Sequence, residues 1–417
     1  MGVFDYRNKE LYLEESSVKE LVSKFGSPLY VYSQKEILDS LNNYTQAMGD
    51  QGLVCYAVKA NSNLSILKLL AEHGAGFDIV SLGELERVLL AGGDPAKVVF
   101  SGVGKQKSEM RRALEVGIHC FNVESESELN VLNDVAFSMG LIAPVSIRVN
   151  PDVDAKTHPY ISTGLKQNKF GIDINVVESV YDLAQELSNI SVQGVDCHIG
   201  SQITELSPFI DALDRLLVLV DRLATKGIEI KHLDLGGGIG VQYEASDEVP
   251  DLAEYLSQVI QKTSKRNLSL IMEPGRSIVA KAGVLVTQVI YLKSTEEHNF
   301  AIVDAGMNDL IRPALYQAWQ QVSEVTLKDV PKRKWDVVGP ICETGDFLAH
   351  DRNLSIAADD YLAVMDSGAY GFTMASNYNS RNRVAEVLVS GDSARLIRQR
   401  ESFDEQFSLE INCLNNK

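Results

Sequence analysis

Cysteine is scarce in this sequence and never closely spaced: five residues in 417, at positions 55, 120, 197, 342 and 413. An odd count without short spacings argues against a disulfide-framed secreted scaffold and for a reduced, cytoplasmic protein. Basic clusters are also missing. Lys and Arg number 39 against 57 Asp and Glu, for a formal net charge of -18. That balance excludes an extended nucleic-acid or anionic-membrane surface, while a single arginine or a loop can still hold a small anion. The opening stretch "MGVFDYRNKELYLEESSVKEL" is charged throughout, so neither a signal peptide nor a membrane span is expected. No low-complexity linker is found. What remains is an ordinary globular composition, 45% hydrophobic and 23% charged, in a chain too long for one core, so two domains are expected.

Short apolar runs recur in the first two thirds of the chain, at 53–58, 76–80, 98–101, 118–123, 145–150, 194–199, 232–235 and 268–273. Between them lie segments with apolar residues every three or four positions, such as "LGELERVLLAGG" (82–93), "KSEMRRALEVG" (107–117) and "SPFIDALDRLLVLVDRLATKG" (207–227), which predict helices. Eight strands alternating with helices over roughly 220 residues match a (β/α)8 barrel, with a doubly wound open sheet as the alternative. After Arg276 the texture changes. The segments 282–294, 298–306, 334–340, 361–371 and 384–390 read as strands with few helices between them, and predict an all-β domain from 277 to 417. The barrel is expected over 27–276, with residues 1–26 joining the β domain.

The ends of the runs carry the chemistry. "YAVKAN" puts Lys59 at the lip of a strand, ahead of an Asn-Ser-Asn cluster suited to starting a helix. Taken alone, this lysine could simply reach water, or it could be a Schiff-base lysine with a lowered pKa. Other runs end at Asp78, in "CHIGSQ" (197–202), in "LDLGGGIG" (233–240) and in "MEPGR" (272–276). Five reactive or glycine-rich endings on what would be the C-terminal face of a barrel favour the second reading.

A Schiff-base lysine serves either a carbonyl substrate or pyridoxal phosphate. The cofactor needs open backbone amides for its phosphate. Gly236, Gly237 and Gly238 supply them, and a helix start after them would add a favourable dipole; a tight turn explains the same glycines. The cofactor also needs a carboxylate for its ring nitrogen, which Glu273 could be, and a flat neighbour, which His198 could be. Cys55, Cys120 and Cys197, inside apolar runs, read as small core residues.

Together "YAVKAN", "HIGSQ", "LDLGGGIG", "EPGR", "CETGD" (342–346) and "DSGAYG" (366–371) resemble the fold-type III, pyridoxal-phosphate-dependent amino-acid decarboxylases. The match runs from about residue 27 to beyond 380, with the motifs in the family's order. The resemblance implies an alanine-racemase-like (β/α)8 TIM barrel followed by a β domain, pyridoxal 5'-phosphate as cofactor, and a homodimer with shared active sites. It implies that Lys59 carries the cofactor, that His198 stacks on its ring and that Glu273 pairs with its ring nitrogen. Ser201, Gly237, Gly238, Gly275, Arg276 and Tyr370 would lie at or next to its phosphate. Arg276, Arg312, Tyr316, Glu343 and Tyr370 would bind substrate, and Cys342, from the partner subunit, would be the proton donor. No metal site is implied.

Within the family, "HPYISTGLKQNKFG" (158–171), "RPALY" (312–316) and the glutamate of "CETGD" point to the branch whose substrate carries a second carboxylate and a second ammonium group. An arginine fork suits the distal carboxylate, and Glu343 suits the distal ammonium. The nearest rival is a decarboxylase of ornithine, arginine or lysine. A catalytically silent homologue is the other, and it would be expected to have lost the lysine, the cysteine or the glycine loop.

Overall fold

The eight apolar runs become eight parallel strands of one closed barrel in the computed structural model, which describes residues 3–154 and 169–415. They are β1 (Gly52–Ala57), β2 (Gly76–Ile79), β3 (Val98–Phe100), β4 (Cys120–Val123), β5 (Ala143–Asn150), β6 (Ile190–Asp196), β7 (His232–Asp234) and β8 (Ser269–Met272). Closure is made where β8 pairs with β1, Leu270 opposite Gly52, and the ring is continuous through β4 and β5, Phe121 opposite Val145. The open-sheet alternative is thereby excluded. The helices predicted at 82–93, 107–117 and 207–227 form as Leu82–Leu90, Lys107–Val116 and Ser207–Thr225. Their boundaries follow local chemistry. Ser81 accepts a hydrogen bond from the Glu84 amide at one start, and Gly117 turns left-handed (φ 71°) at one end.

Contacts divide the chain into two units, Asp39–Gln242 with Ser246–Ile278, and Met1–Leu38 with Tyr243–Ala245 and Val279–Lys417. The barrel is the first. The second is built on a sheet in which Gly283–Ser294 pairs with Leu29–Ser33, Asn299–Val303 and Tyr361–Val364. Leu29–Ser33 also pairs, in parallel, with Ala385–Ser390. Its core gathers Leu29, Val31, Val284, Val286, Ala363, Val387 and the N-terminal Leu11, Leu13 and Val18. This unit is less purely β than expected. It also holds helices at Val18–Phe25 and Phe403–Asn415, and strands at Phe347–Leu354 and Ser393–Arg398 that the apolar pattern did not mark. Among the described residues, no helix is long and apolar enough to cross a membrane.

Strand alternation sets what the barrel interior contains. On β4, Asn122 points inward to Glu273, so Cys120 does too. On β5 the inward pair is Ser146 and Arg148, and on β7 it is His232 and Asp234. On β6, the register shifts between Val192 and Gly194, which turns Gly194 and Asp196 inward. A single outward-facing residue therefore separates each polar group near the C-terminal rim from a second inward group nearer the floor.

The second unit offers a test of close packing. A Cβ on Gly368 would lie 1.8 Å from the Val279 carbonyl oxygen. Backbone on both sides leaves nothing flexible to move. Gly368→Ala is expected to lower stability by about 3 kcal/mol, seen as an earlier chemical-denaturation midpoint; an unchanged midpoint would contradict the packing described.

Candidate active site

Lys59 sits in a single turn, Val58–Ala60, that follows β1 at once. The turn is short because Asn63 caps the next helix, its side chain accepting from the Ser65 amide. Lys59 Nζ donates to Asp78 Oδ2 at 2.8 Å, from the adjacent β2. Asp78 is fully buried and the lysine is not, so the ammonium group is held at the rim by an anchored carboxylate. Glu84 lies nearby and accepts from the Val80 amide at 2.7 Å. Desolvation, with Asp78 adding to it against the pull of Lys59, raises its carboxyl to about 7.

The loops after β6, β7 and β8 meet around glycine. The Gly237 amide donates to His198 Nδ1 at 3.3 Å. Burial, and after it the charges of Arg148 and Lys59, hold this imidazole well below its usual pKa. The ring is therefore neutral, with its proton on Nε2. A side chain on Gly237 would meet the Glu273 carbonyl oxygen at 2.2 Å, and one on Gly238 (φ 103°) the Gly200 carbonyl oxygen at 2.3 Å. Gly275 is pressed between Ala57 and Ala60, each 3.0 Å from where its Cβ would be. Arg276, buried, donates from Nη2 to Ser201 Oγ at 3.1 Å. A guanidinium, a hydroxyl and side-chain-free backbone at Gly237, Gly238 and Gly275 are the donor set of a phosphate cradle. A helix start after the triple glycine, which would have added a dipole, is not present. The chain runs irregularly from 235 until the helix Leu252–Thr263, so the cradle rests on backbone amides and Arg276, without a helix dipole.

Beneath the rim lies an acidic layer that only the fold reveals. Asp196, Asp234 and Glu273 bring carboxylate oxygens within 4.8 Å of one another. Arg148 is their nearest interior cation, 3.8 Å from Asp196 Oδ2, but its Nη1 is taken by Glu124 at 3.1 Å. Neither oxygen of Asp196 has a hydrogen-bond partner. Glu273 Oε1 is held by Asn122 Nδ2 at 3.3 Å and by Ser101 Oγ at 3.4 Å. Burial first, then Asp234 and Asp78, push the Glu273 carboxyl well above its normal range, and burial raises Asp234 to about 6. A layer with more carboxylates than cations is completed by a protonated ring nitrogen. With an amine at the rim and a phosphate cradle beside it, these residues fit pyridoxal phosphate.

The remaining predicted residues lie in the second unit. Arg312 opens a short helix, Arg312–Tyr316, and is buried, its guanidinium 4.6 Å over the Tyr243 ring. Buried Gln320, with its amide turned to suit its neighbours, accepts from Arg312 Nη1 at 3.2 Å. Tyr316 is half-buried. Tyr370 is held left-handed (φ 55°), an uncommon state for a bulky residue and one that concentrates at working sites. Cys342 and Glu343 are exposed and share one turn's support. The Cys342 amide donates to Asn379 Oδ1 at 2.8 Å, and Tyr378 Oη donates to Glu343 Oε1 at 2.6 Å. Of "HPYISTGLKQNKFG", positions 158–168 lie outside the described residues.

The acidic layer predicts an inverted pH response. Asp234 keeps its proton up to about pH 6 when folded but loses it near 3.8 when unfolded. The folded state thus binds more protons between these values, and wild-type stability falls as pH rises through them. In cofactor-stripped protein, Asp234→Asn, which can still accept from the Gly236 amide, removes that loss. Its stability relative to wild type should rise by up to about 3 kcal/mol from pH 4 to pH 6, read from paired thermal or denaturant curves. A relative stability that falls over that window would refute the buried-acid assignment.

Comparison with known proteins gives a consistent result. The model of the family described as "Pyridoxal-dependent decarboxylase, pyridoxal binding domain" matches residues 34–280. A curated diaminopimelate decarboxylase from Pseudomonas aeruginosa is 61% identical over 410 residues, 98% of each chain. The crystal structure of diaminopimelate decarboxylase from Helicobacter pylori complexed with L-lysine is 43% identical, with a TM-score of 0.91 over 95% of this chain and 99% of that one. That of the M. jannaschii enzyme, in co-complex with L-lysine, is 39% identical, with a TM-score of 0.93 over 98% and 97%.

Proposed function

The chain belongs to the pyridoxal-dependent decarboxylase family, in its diaminopimelate decarboxylase branch, and from that premise we propose that it converts meso-2,6-diaminopimelate to L-lysine and carbon dioxide, the last step of lysine biosynthesis. Its cofactor is pyridoxal 5'-phosphate. When bound, the cofactor supplies the electron sink for the bond that breaks. The chain's own residues do the rest. Lys59 holds the cofactor through its amine, and Asp78 keeps that amine at the rim. Gly237, Gly238, Gly275, Arg276 and Ser201 take the phosphate. His198, neutral, offers a flat face that adds no charge. Glu273 would pair with the ring nitrogen, and Asp234 and Asp196, by making loss of the shared proton from this place costly, would help keep that nitrogen protonated.

Substrate selection falls to Arg312, Tyr316, Glu343, Tyr370 and Arg276. The observation that carries the choice of a diacid is the burial of Arg312. A guanidinium lying on Tyr243 and held by Gln320 presents a rigid fork for a distal carboxylate. A monocarboxylic diamine such as ornithine or lysine lacks the group that this fork would recognise. Glu343 pairs with the distal ammonium. Cys342 Sγ, as general acid, returns a proton to the carbon that lost its carboxylate. Both Cys342 and Glu343 are exposed on the single chain, which supports a homodimer in which each chain completes its neighbour's site. All five cysteines are free, in keeping with the cytoplasm.

Carbon dioxide release from meso-diaminopimelate, ornithine, arginine and lysine, each supplied separately, tests the assignment. Turnover is expected with the first alone, and Arg312→Leu should lower its specificity constant by about 30- to several-thousand-fold, the loss of a buried charged contact worth roughly 2–5 kcal/mol. Equal turnover of ornithine by wild type would overturn the choice of substrate.

Sharing of the site predicts complementation. Lys59→Ala and Cys342→Ala proteins should each be inactive. After subunit exchange, half the dimers are mixed, and each mixed dimer has one intact site. Activity should recover to roughly a quarter of wild type per chain. No recovery despite demonstrated exchange would place both residues in one chain's site.

A further inference from the structure

At the opposite end of the barrel from Lys59, three potential soft-metal ligands converge. His119 immediately precedes β4, Cys120 begins β4 and His232 begins β7. One ligand atom from each lies within 4.8 Å of the other two. Cys120 Sγ is 3.9 Å from His232 Nε2, and the His119 and His232 rings are 5.3 Å apart between centroids. Around the barrel β5 and β6 stand between β4 and β7, so the group spans its floor. None of these residues takes part in the chemistry proposed above.

We propose that His119, Cys120 and His232 form a binding site for a thiophilic divalent cation of the zinc class. Two imidazoles and one thiolate are a donor set that selects zinc or cobalt over magnesium or calcium. Tetrahedral coordination places such donors roughly 3.3–3.7 Å apart. Cys120 and His232 are within a few tenths of an ångström of that, and modest side-chain rotation brings in His119. The fourth position is left to water; the Ser146 hydroxyl, hydrogen-bonded to His232 Nε2 at 2.6 Å, turns away from that nitrogen when the cation binds.

The surroundings are built for the imidazole. A Cβ on Gly194 would lie 2.2 Å from His232 Nε2. The register shift in β6 that turns Gly194 inward therefore also makes room for this ring. His119 hydrogen-bonds the Ala96 carbonyl, the kind of outer contact that fixes a ligating ring. It is half-buried at the barrel's edge, which gives a cation a way in. On the side away from the histidines, Cys120 packs with Cys55, Val99 and Ile271, an apolar wall that keeps bulk water from the metal–sulfur bond. Binding replaces the thiol S–H bond of Cys120 with a sulfur–metal bond and releases one proton to solvent. The bound ion then ties β4 to β7 across the two strands that separate them.

The test uses full-length holoenzyme, freed of metal with a chelator and titrated with Co2+. About one equivalent per chain is expected to bind, with d–d bands at wavelengths beyond the cofactor's absorption, and Zn2+ should displace it. These bands should persist in Cys413→Ser and disappear in Cys120→Ser. His119→Gln, at the edge of the site and the safer variant for folding, should weaken Co2+ binding by at least roughly 100-fold. Absence of the bands in wild type, or bands that survive His119→Gln undiminished, would overturn the site, and neither result bears on decarboxylation.

Discussion

Too many carboxylates and too few cations share the upper interior of the barrel, and the arrangement around them follows from that imbalance. Asp78, Asp196, Asp234 and Glu273 face Lys59 and Arg148, and Arg148 is already engaged by Glu124. Left as four charges, the cluster would repel itself in a medium that screens poorly. It therefore keeps protons, as the raised Asp196, Asp234 and Glu273 carboxyls record. A cofactor whose ring nitrogen can share a proton with Glu273 relieves the same imbalance. Electron withdrawal through that ring and stability of the barrel are thus served by one proton.

The same imbalance explains why the rim is arranged as it is. Lys59 adds a positive charge at the edge of the acidic layer and is held there by Asp78. His198 adds none, because burial and two neighbouring cations keep it neutral. A charged imidazole against the cofactor's ring would compete with the ring nitrogen for electrons. In the proposed site the phosphate would meet Arg276 and the glycine backbone rather than the carboxylates that would repel it.

The strand ends were legible in the sequence because chemistry there interrupts an apolar run: Lys59, His198, the triple glycine and Glu273 each follow several buried residues. The barrel was legible for the same reason, eight runs at regular spacing. The acidic layer was not. Asn122, Arg148, Asp196 and Asp234 stand inside runs that read as core, and only closure of the ring brings them together. Alternation carried a faint signal, in "SIRV" and "HLD", where one polar residue in two marks an inward face that is not oil. No helix starts directly after Gly238 because the following residues, "IGVQYEASDEVPD", lack an apolar face. The strands at 347–354 and 393–398 carry no apolar run, since half of "FLAHDRNL" and half of "SARLIR" is polar, and they owe their conformation to antiparallel pairing with the strands just before them, 333–338 and 385–390.

Two features of the second unit fit the proposed substrate rather than the cofactor. A buried Arg312 would be selective, since an exposed guanidinium would donate to water in place of a missing carboxylate. Burial in turn demands support, and Tyr243 and Gln320 contribute to it. Cys342 and Glu343 show the opposite choice. They stay exposed on one chain, steadied by side-chain bonds from Asn379 and Tyr378, and a proton donor so placed gains a dry environment only when another surface covers it. In the proposed shared site, dimerisation and general-acid chemistry would be a single requirement, because the contact that encloses the thiol would also deliver it.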